Sequence, residues 1–375
     1  MSAPVMRSAQ VPAPKEPLKI VEQAIPKPPP EGLVIKTSFA GICHSDIHLW
    51  ENKTELGDGK EMTFLSDPHN FVLGHEISGI VHSLGDKASA DDPDIKVGDR
   101  VVIYSFIGCR KCDVCSGGSN QLCPDAIKGT LGAQQPGGYA TYVSVPEKKF
   151  AVKVPESVGM DTAAIIACSG VTTYHGVSVV KPTLEELLKL RGKTKLLVIG
   201  AGGLGLWCVQ IAKAILPPDV RVISADITTS KLEIAKAAGA DDVILWDPAV
   251  DESTLVERTK EISGGGVDAV IDLVNNGITT SRALNCLNYG GILAIIGLFG
   301  GSINIQLPIF ACKTHCLRGV YVASPQHLRE LVKLVAEKQL KPPPMSYFSL
   351  DQANEALMML RDGKINGRAL LKMDD

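Results

Sequence analysis

The sequence lacks four features that would have placed it in a specialised class of protein. It has no basic tract, since 38 Lys and Arg residues stand against 41 Asp and Glu. A nucleic-acid-binding protein is expected to concentrate its cations, so that class is disfavoured. No segment reaches the roughly 20 consecutive apolar residues of a membrane-spanning helix. The stretch from Met1 to Pro17 has no apolar core of a signal peptide, and internal repeats are absent.

What is present is a chain of 375 residues, 45% of them hydrophobic, which suits about two domains with substantial cores. Ten cysteines without a secretory signal indicate a reducing compartment, where thiols stay free to bind metal. The sequence therefore predicts a soluble, cytoplasmic protein without a membrane or nucleic-acid partner.

The chain changes character along its length. Residues 18–155 mix short extended segments, such as Leu33–Thr37 and Arg100–Tyr104, with Gly, Pro and Asp turns, as in a β-rich domain. From about Leu184, apolar runs alternate with helical patterns, which predicts parallel βαβ units. The runs are Lys195–Ile199, Val220–Ala225, Asp242–Leu245, Val267–Leu273 and Gly291–Ile296; helices are expected at Leu206–Ile215, Ser230–Ala238, Ser281–Leu287, Gln326–Lys338 and Leu350–Arg361.

Four cysteines in one short segment predict a structural metal site. They are Cys109, Cys112, Cys115 and Cys123. This spacing lets one loop surround a zinc ion tetrahedrally, and four thiolates leave no open coordination position, so such a site contributes folding energy and no chemistry. Disulfides and a nucleic-acid-binding zinc module are the alternatives. Of the six other cysteines, four are expected to behave as small buried hydrophobes: Cys208, Cys286, Cys312 and Cys316.

A glycine-rich turn follows the run Lys195–Ile199 and precedes the helical stretch Leu206–Ile215. It consists of Gly200, Ala201, Gly202, Gly203, Leu204 and Gly205. Strand, glycines and helix in this order predict a dinucleotide site, with the pyrophosphate at the helix N-terminus. Asp226 stands about 20 positions further on, where a carboxylate would bind the ribose 2′-hydroxyl and repel a 2′-phosphate, so NAD is favoured over NADP. A glycine-rich helix start with Asp226 as a cap is the alternative.

A second constellation lies in the β-rich region, at Gly41-Ile42-Cys43-His44-Ser45-Asp46-Ile47-His48 and Gly74-His75-Glu76. A thiolate and an imidazole with nearby carboxylates suit a catalytic zinc, which needs three protein ligands and one open position. Cys168 is a candidate for the third ligand. Taken singly, each of these residues is more often a core or surface residue than a ligand.

Together, these motifs resemble those of the zinc-containing medium-chain alcohol dehydrogenases, and the resemblance covers nearly the whole chain. It rests on GICHSDIH, GHE, the four-cysteine segment, CSGVTTY, GAGGLG with Asp226, and Gly363-Lys364-Ile365-Asn366-Gly367-Arg368, in the order of the family. The resemblance implies an α/β protein with a GroES-like β-rich catalytic domain and a Rossmann domain with a doubly wound parallel sheet. We expect the first at 1–170 and 313–375, and the second at 171–312.

The resemblance also assigns roles to single residues. It implies two zinc ions per chain, one of them catalytic and held by Cys43, His75 and Cys168, with Glu76 behind the metal and Asp46 orienting the ligand histidine. Ser45 and His48 resemble a proton relay. The residues implied to contact the dinucleotide, besides the glycine turn and Asp226, are His44, Thr172, Lys231 and Arg368. Trp50 and Tyr104 resemble aromatic walls of a narrow substrate pocket, which would favour slender primary alcohols.

The expected activity is reversible hydride transfer between an alcohol and NAD, giving an aldehyde or ketone, in a homodimer or homotetramer. Zinc would supply Lewis-acid catalysis and the nicotinamide would take the hydride. An NADP-linked aldehyde or cinnamyl-type reductase, and a non-catalytic member of the same family, are the alternatives. The polar segment from Glu51 to Leu73 reads either as a loop that reshapes the substrate entrance or as a solvated insertion.

Overall fold

A computed structural model describes residues 5–88 and 95–373. The described strands are β1 (Val5–Val11), β2 (Lys19–Ala24), β3 (Leu33–Ile42), β4 (Thr54–Gly57), β5 (Lys60–Met62), β6 (Phe71–Val72), β7 (Glu76–Leu84), β8 (Arg100–Ile103), β9 (Tyr142–Val145), β10 (Ala151–Lys153), β11 (Thr194–Ile199), β12 (Val220–Asp226), β13 (Asp242–Leu245), β14 (Val267–Asp272), β15 (Leu287–Ile295), β16 (Cys316–Gly319), β17 (Met345–Ser349) and β18 (Arg368–Lys372).

The described α-helices are α1 (His44–Glu51), α2 (Asp113–Ser116), α3 (Ala126–Gly129), α4 (Met160–Ile165), α5 (Val171–Arg191), α6 (Gly203–Ile215), α7 (Thr229–Ala237), α8 (Glu252–Ser263), α9 (Gly277–Cys286), α10 (Leu307–Cys312), α11 (Pro325–Lys338) and α12 (Ala353–Arg361). A π-helical turn at Ile166–Gly170 joins α4 to α5, and short 3₁₀ helices lie at Asn120–Leu122, Lys148–Phe150 and Leu350–Gln352.

The chain forms two compact units. The first comprises Met1–Lys53, Thr63–Val171 and Val322–Asp375. The second comprises Thr54–Met62 and Thr172–Tyr321. Strand β16 pairs with β15, so the second unit continues past residue 312.

The first unit is built on a seven-stranded sheet in the order β10-β8-β7-β3-β18-β17, with β9 also pairing with β3. Its centre, β3, is almost entirely buried, and its pairs with β7, β9 and β18 are antiparallel. A smaller sheet, β2-β1-β6, and helices α1 and α12 contribute to the same hydrophobic core. This confirms the predicted β-rich domain.

The second unit contains a parallel six-stranded sheet in the order β13-β12-β11-β14-β15-β16. All five apolar runs of the sequence form strands in it, because strands covered on both faces carry near-continuous apolar residues. The strand order reverses between β11 and β14, as in a doubly wound fold, and ligands of such sheets bind outside the carboxyl ends of the strands at that point. Helix α8 was not predicted, although Asp251 caps it by accepting from Thr254 N at 2.9 Å.

One helical stretch, Met160–Arg191, is long and apolar enough to cross a bilayer. However, 72% of its most apolar window is buried inside the structure, which is the environment of a core helix.

The segment from Glu51 to Leu73 is divided between the two units. Its hairpin, β4 with β5, belongs to the second unit, where Ser302 Oγ donates to Asp58 Oδ1 at 3.0 Å. Its second half returns to the first unit, where the Asn52 side chain accepts from Leu65 N at 2.8 Å. Most residues of the segment are exposed, and both readings of it, an entrance loop or a solvated insertion, stay predictions.

Candidate metal centres and dinucleotide site

Strand β3 and helix α1 position the first candidate zinc ligand. Strand β3 ends at Ile42, and Cys43 is the N-cap residue of α1. Asp46, in the first turn of α1, accepts from Cys43 N at 2.8 Å, so the helix start itself fixes the place of the thiol. Ser45 Oγ lies 3.8 Å from Cys43 Sγ.

Four possible ligands converge here from distant parts of the chain. Ligand atoms of Cys43, His75, Glu76 and Cys168 all lie within 4.8 Å of one another. Cys168 sits in the π-helical turn Ile166–Gly170, a distortion that is frequent at functional sites. His75 Nε2 is buried without a hydrogen-bond partner. A buried donor set with an orphaned imidazole nitrogen fits a zinc ion, and these residues can hold one.

Asp46 holds this donor set in place. Its carboxylate is fully buried, with Oδ1 at 3.2 Å from His75 Nδ1 and 3.3 Å from Gly74 N. Its Oδ2 accepts from Cys43 N and, at 3.1 Å, from the Tyr139 hydroxyl. The pair with His75 Nδ1 leaves Nε2 free for a metal, which is the orientation a zinc histidine requires.

Glu76 lies beside the three ligands and pairs with Arg368 inside the protein. The Arg368 side chain is 4% exposed, and the Glu76 side chain is completely buried. A side chain at residue 41 would collide with the Glu76 carboxylate, because a Cβ on Gly41 would lie 2.0 Å from its Oε2. Burial raises the pKa of Glu76 to about 7, although Arg368 opposes that effect. The guanidinium of Arg368 thus pairs with Glu76, and its predicted contact with the dinucleotide stays a prediction.

The ionisation of the donor set suits a divalent cation. A hydrogen bond with the Cys168 thiol, with help from His75, holds the pKa of Cys43 well below that of a free thiol, against the effect of burial. The same bond raises the pKa of Cys168, and burial adds to it. Burial alone would lower the pKa of His75, but Asp46 and Cys43 outweigh it and raise the pKa well above the usual value. Without a metal, the raised pKa values favour protons on His75 and Cys168, and metal binding would displace these protons.

The second metal centre is the four-cysteine segment in the same unit. The sulfur atoms of Cys109, Cys112, Cys115 and Cys123 lie within 4.8 Å of one another, and all four residues are free thiols. This excludes the disulfide alternative in this structure. Backbone N–H groups of Lys111 and Cys112 lower the pKa of Cys109 to about 6, whereas burial raises that of Cys115 to about 12. Four converging thiols fit a closed zinc site.

The glycine turn has the geometry of a dinucleotide site. Gly200 has a φ of +95°, and a Cβ on Gly205 would lie 1.9 Å from Gly200 O, so strand and helix approach as closely as the motif requires. Open space surrounds the place of a Cβ on Gly202, and Gly203 begins α6. A phosphate fits at such a helix start. Asp226 accepts from Ala201 N at 2.7 Å and from Thr228 N at 2.9 Å, so it also braces the turn.

The other predicted residues occupy varied positions. His44 is exposed at the start of α1, and His48 is half-buried one turn later. Thr172 is buried in the first turn of α5, and Lys231 is half-buried near the start of α7. Of the four further cysteines, Cys208 and Cys286 are buried as expected, but Cys312 and Cys316 are exposed.

The predicted pocket walls are core residues. Trp50 is 4% exposed, packs in the hydrophobic core of the first unit, and donates from Nε1 to Glu16 O at 2.8 Å. Tyr104 is completely buried, stacks on Phe150, and donates from its hydroxyl to Ala323 O at 2.6 Å. Both side chains are thus anchored inside the first unit, and their assignment to the substrate pocket stays a prediction.

Sequence reasoning missed two residues next to the first metal centre. Phe106 packs edge-on against the His75 ring, with centroids 5.6 Å apart, and Tyr139 donates to Asp46. Phe106 stands three residues before Cys109, so its closeness to that segment was a usable signal. No sequence motif marked Tyr139, because this residue lies far from Asp46 in the sequence and only the folded chain brings the two into contact.

A β-rich unit with a three-ligand metal centre and a Rossmann unit with a glycine fingerprint define a zinc- and dinucleotide-dependent oxidoreductase. The alcohol dehydrogenase GroES-like domain matches residues 29–156, and the zinc-binding dehydrogenase domain matches residues 203–337. An NAD-dependent alcohol dehydrogenase of Saccharolobus solfataricus is 33% identical over 366 residues, 98% of this chain and 99% of that protein. One from Sulfurisphaera tokodaii is 34% identical over 357 residues, 95% and 96% of the two chains.

The fold has close structural counterparts as well. A cobalt- and zinc-bound thermostable alcohol dehydrogenase from Pyrobaculum aerophilum superposes with a TM-score of 0.80 over 98% of this chain and 100% of that one, at 24% identity. At that identity, the likeness establishes the fold alone. The chain belongs to the zinc-containing medium-chain alcohol dehydrogenase family, with zinc and NAD as its cofactors.

Proposed function

We propose that this NAD-dependent alcohol dehydrogenase interconverts an alcohol and the corresponding aldehyde or ketone at a zinc ion held by Cys43, His75 and Cys168. The observation that carries this is the buried set of two thiols and one imidazole, with Nε2 of His75 free of any hydrogen bond. Zinc bound there supplies a Lewis acid for the substrate oxygen. Two zinc ions per chain are expected, the second in the four-cysteine segment.

The residues around the ligands orient them and compensate charge. Two thiolates and a neutral imidazole would balance the charge of a divalent cation. Asp46 keeps the proton of His75 on Nδ1, so that Nε2 faces the metal. Glu76 lies beside the ligands, and its pair with Arg368 compensates the negative charge that its carboxylate would add to that of the two thiolates.

Proton removal from the alcohol is assigned to Ser45 and His48. The Ser45 hydroxyl lies 3.8 Å from Cys43 Sγ, and this distance supports a role next to the proposed metal. His48 follows at i+3 on the same face of α1, and its half-exposed ring can exchange protons with solvent. The reverse reaction would return a proton by the same groups.

Primary alcohols remain the proposed substrates, with Phe106 in place of Trp50 and Tyr104 as the relevant aromatic. Its ring packs edge-on against the ring of His75 and so occupies space beside the proposed metal. Bulk there is expected to disfavour branched substrates. Comparison of kcat/KM for ethanol, 1-butanol, benzyl alcohol, 2-propanol and sorbitol tests this, and a wild-type preference for 2-propanol or sorbitol would contradict it.

In the dinucleotide site we assign the pyrophosphate to the glycine turn and the N-terminus of α6, the adenosine ribose to Asp226, and further contacts to His44, Thr172 and Lys231. A carboxylate beside a 2′-phosphate is repulsive, so NAD should be used in preference to NADP. The test is the ratio of kcat/KM for the two cofactors in wild type and Asp226→Asn. An unchanged ratio contradicts the assignment, and a wild-type preference for NADP favours the reductase alternative.

We further propose a homo-oligomer in the cytoplasm. Strand β16 is an edge of the six-stranded sheet, and the segment that precedes it in the chain has exposed apolar side chains, among them Phe299 at 61% and Leu307 at 73%. A sheet edge and exposed apolar side chains are both typical of an interface between subunits. Light scattering of the purified protein gives its mass in solution, and a monomer would contradict this proposal.

A further inference from the structure

A buried carboxylate outside both metal centres organises the carboxyl end of the parallel sheet. Asp272 is the last residue of β14, which lies next to β11 in the sheet, and its side chain is completely buried. Because the strand order reverses between β11 and β14, this is the edge at which a dinucleotide binds in such folds. The glycine turn, which follows β11, lies at the same edge.

Four donors converge on this carboxylate. Oδ1 accepts from Val274 N at 3.0 Å and from Asn275 N at 2.7 Å. Oδ2 accepts from the hydroxyls of Thr279 at 2.9 Å and Thr280 at 3.1 Å. Burial raises the pKa of Asp272, while these hydrogen bonds act against that effect. The carboxylate thus ties the turn after β14 to the first turns of α9.

The turn that Asp272 holds is also hydrogen-bonded to the turn that follows β15. Asn275 has a φ of +55°, and its amide donates to Gly297 O at 2.7 Å. A left-handed asparagine is uncommon and persists where side-chain hydrogen bonds support it. The turns after β14 and β15 therefore form one connected structure, with Asp272 at its base.

This structure packs directly on the glycine turn. Leu273 N donates to Ile199 O at 3.1 Å, and a Cβ on Gly200 would lie 3.1 Å from Val274 Cγ2. A shift of Val274 would therefore change the packing at Gly200, the first glycine of the fingerprint. Backbone approach to a pyrophosphate depends on the shape of that glycine turn.

We propose that Asp272 is a positioning residue for the dinucleotide: it holds the Leu273–Asn276 turn against Gly200 and so sets the shape of the crevice that binds NAD. The inference rests on the proposed dinucleotide site. It predicts that loss of the carboxylate weakens cofactor binding without loss of either metal centre, since neither centre contains residues of this turn.

The hydrogen bonds supply a conservative variant. In Asp272→Asn, the remaining oxygen can still accept from both backbone N–H groups. The new NH₂ would face the two threonine hydroxyls, and each of these has another acceptor, Asn276 O at 3.2 Å and Asn275 Oδ1 at 3.1 Å. Both hydroxyls can turn to accept. Asp272→Ala leaves the two backbone N–H groups without their acceptor and releases the turn.

Asp268 is a matched control on the same strand. It is also buried, near the opposite end of β14, where it accepts from Lys195 N at 2.9 Å and Asn288 Nδ2 at 3.0 Å. Asp268→Ala therefore removes an equally buried carboxylate from β14 without touching the glycine turn. It separates a loss of stability from a loss of cofactor positioning.

The experiment measures the Kd of NADH by fluorescence titration, the KM for NAD, the kcat at saturating NAD, zinc content and Tm in wild type and the three variants. We expect Asp272→Ala to raise Kd and KM by about tenfold, with kcat at saturation changed much less, and Asp272→Asn to stay within about threefold of wild type. Asp268→Ala should lower Tm but leave the Kd within about twofold.

Equal Kd values for NADH in wild type and Asp272→Ala would overturn the proposal, as would an equal rise in Asp268→Ala. If Asp272→Ala does not fold, Asn275→Gly decides instead, because it keeps the left-handed backbone and removes the side-chain links of this turn to Gly297 and Thr280. It should raise the Kd several-fold, and no change would refute the proposal. A wild type that binds no NADH would refute the proposed dinucleotide site itself, which is a distinguishable result.

Discussion

Asp46→Asn is expected to weaken zinc binding at the Cys43 site selectively. Each carboxylate oxygen of Asp46 serves two donors, Oδ1 those of His75 and Gly74, Oδ2 those of Cys43 and Tyr139. An asparagine offers one oxygen, so one of these pairs must face an NH₂ group. The substitution replaces one carboxylate oxygen by this NH₂ group and leaves the shape of the side chain nearly unchanged.

Both orientations of the amide are unfavourable. With NH₂ towards His75, the imidazole can accept from it only by moving its own proton to Nε2, which disables the nitrogen that would bind zinc. With NH₂ towards Cys43, a buried backbone N–H loses its acceptor, at a cost of about 1–3 kcal/mol. Loss of such a supporting carboxylate typically reduces metal affinity about 10- to 100-fold, or about 1.4–2.7 kcal/mol.

The assay is competition with a chelator, which resolves the two zinc ions per chain. Tyr139→Phe is the matched control, since it removes one of the four donors and leaves the carboxylate; its zinc affinity should change by less than about threefold. The four-cysteine site should be unaffected in both variants. If Asp46→Asn held both ions as tightly as wild type, or lost both equally, the role given to Asp46 would be wrong.

Three further predictions concern the two metal centres and the aromatic side chains. Zinc affinity of the Cys43 site should fall as pH falls, by about tenfold per pH unit per proton displaced, because a raised pKa keeps His75 protonated in the metal-free protein; chelator competition between about pH 6 and 9 checks this, and a flat profile contradicts it. Cys109→Ser should lower the zinc content to one ion per chain and reduce Tm, and an unchanged Tm would count against a structural site. Trp50→Ala should lower the free energy of unfolding by about 3–5 kcal/mol without changing the order in which alcohols are preferred. Phe106→Ala should instead improve kcat/KM for branched alcohols. The opposite pattern would support the assignment of Trp50 to the substrate pocket.

Local patterns determined much of this protein. The apolar runs became the strands of the parallel sheet, because a strand covered on both faces must be apolar along its whole length. The glycine turn was recognisable for a similar reason: its close approach of strand and helix is encoded by consecutive residues at Gly200–Gly205. The four-cysteine segment likewise closes on itself within one loop.

Only the tertiary structure decided which partners the aromatic and charged side chains near the site have. Trp50 and Tyr104 stand at suggestive positions in the sequence, but the direction of a side chain depends on the partners that the fold brings to it, and both found backbone acceptors in the core. Arg368 meets Glu76 across 292 residues of sequence, and Tyr139 meets Asp46 across 93. Contacts of this kind leave no periodicity or spacing in the chain, because they are fixed by strand pairing between distant segments such as β18 and β3.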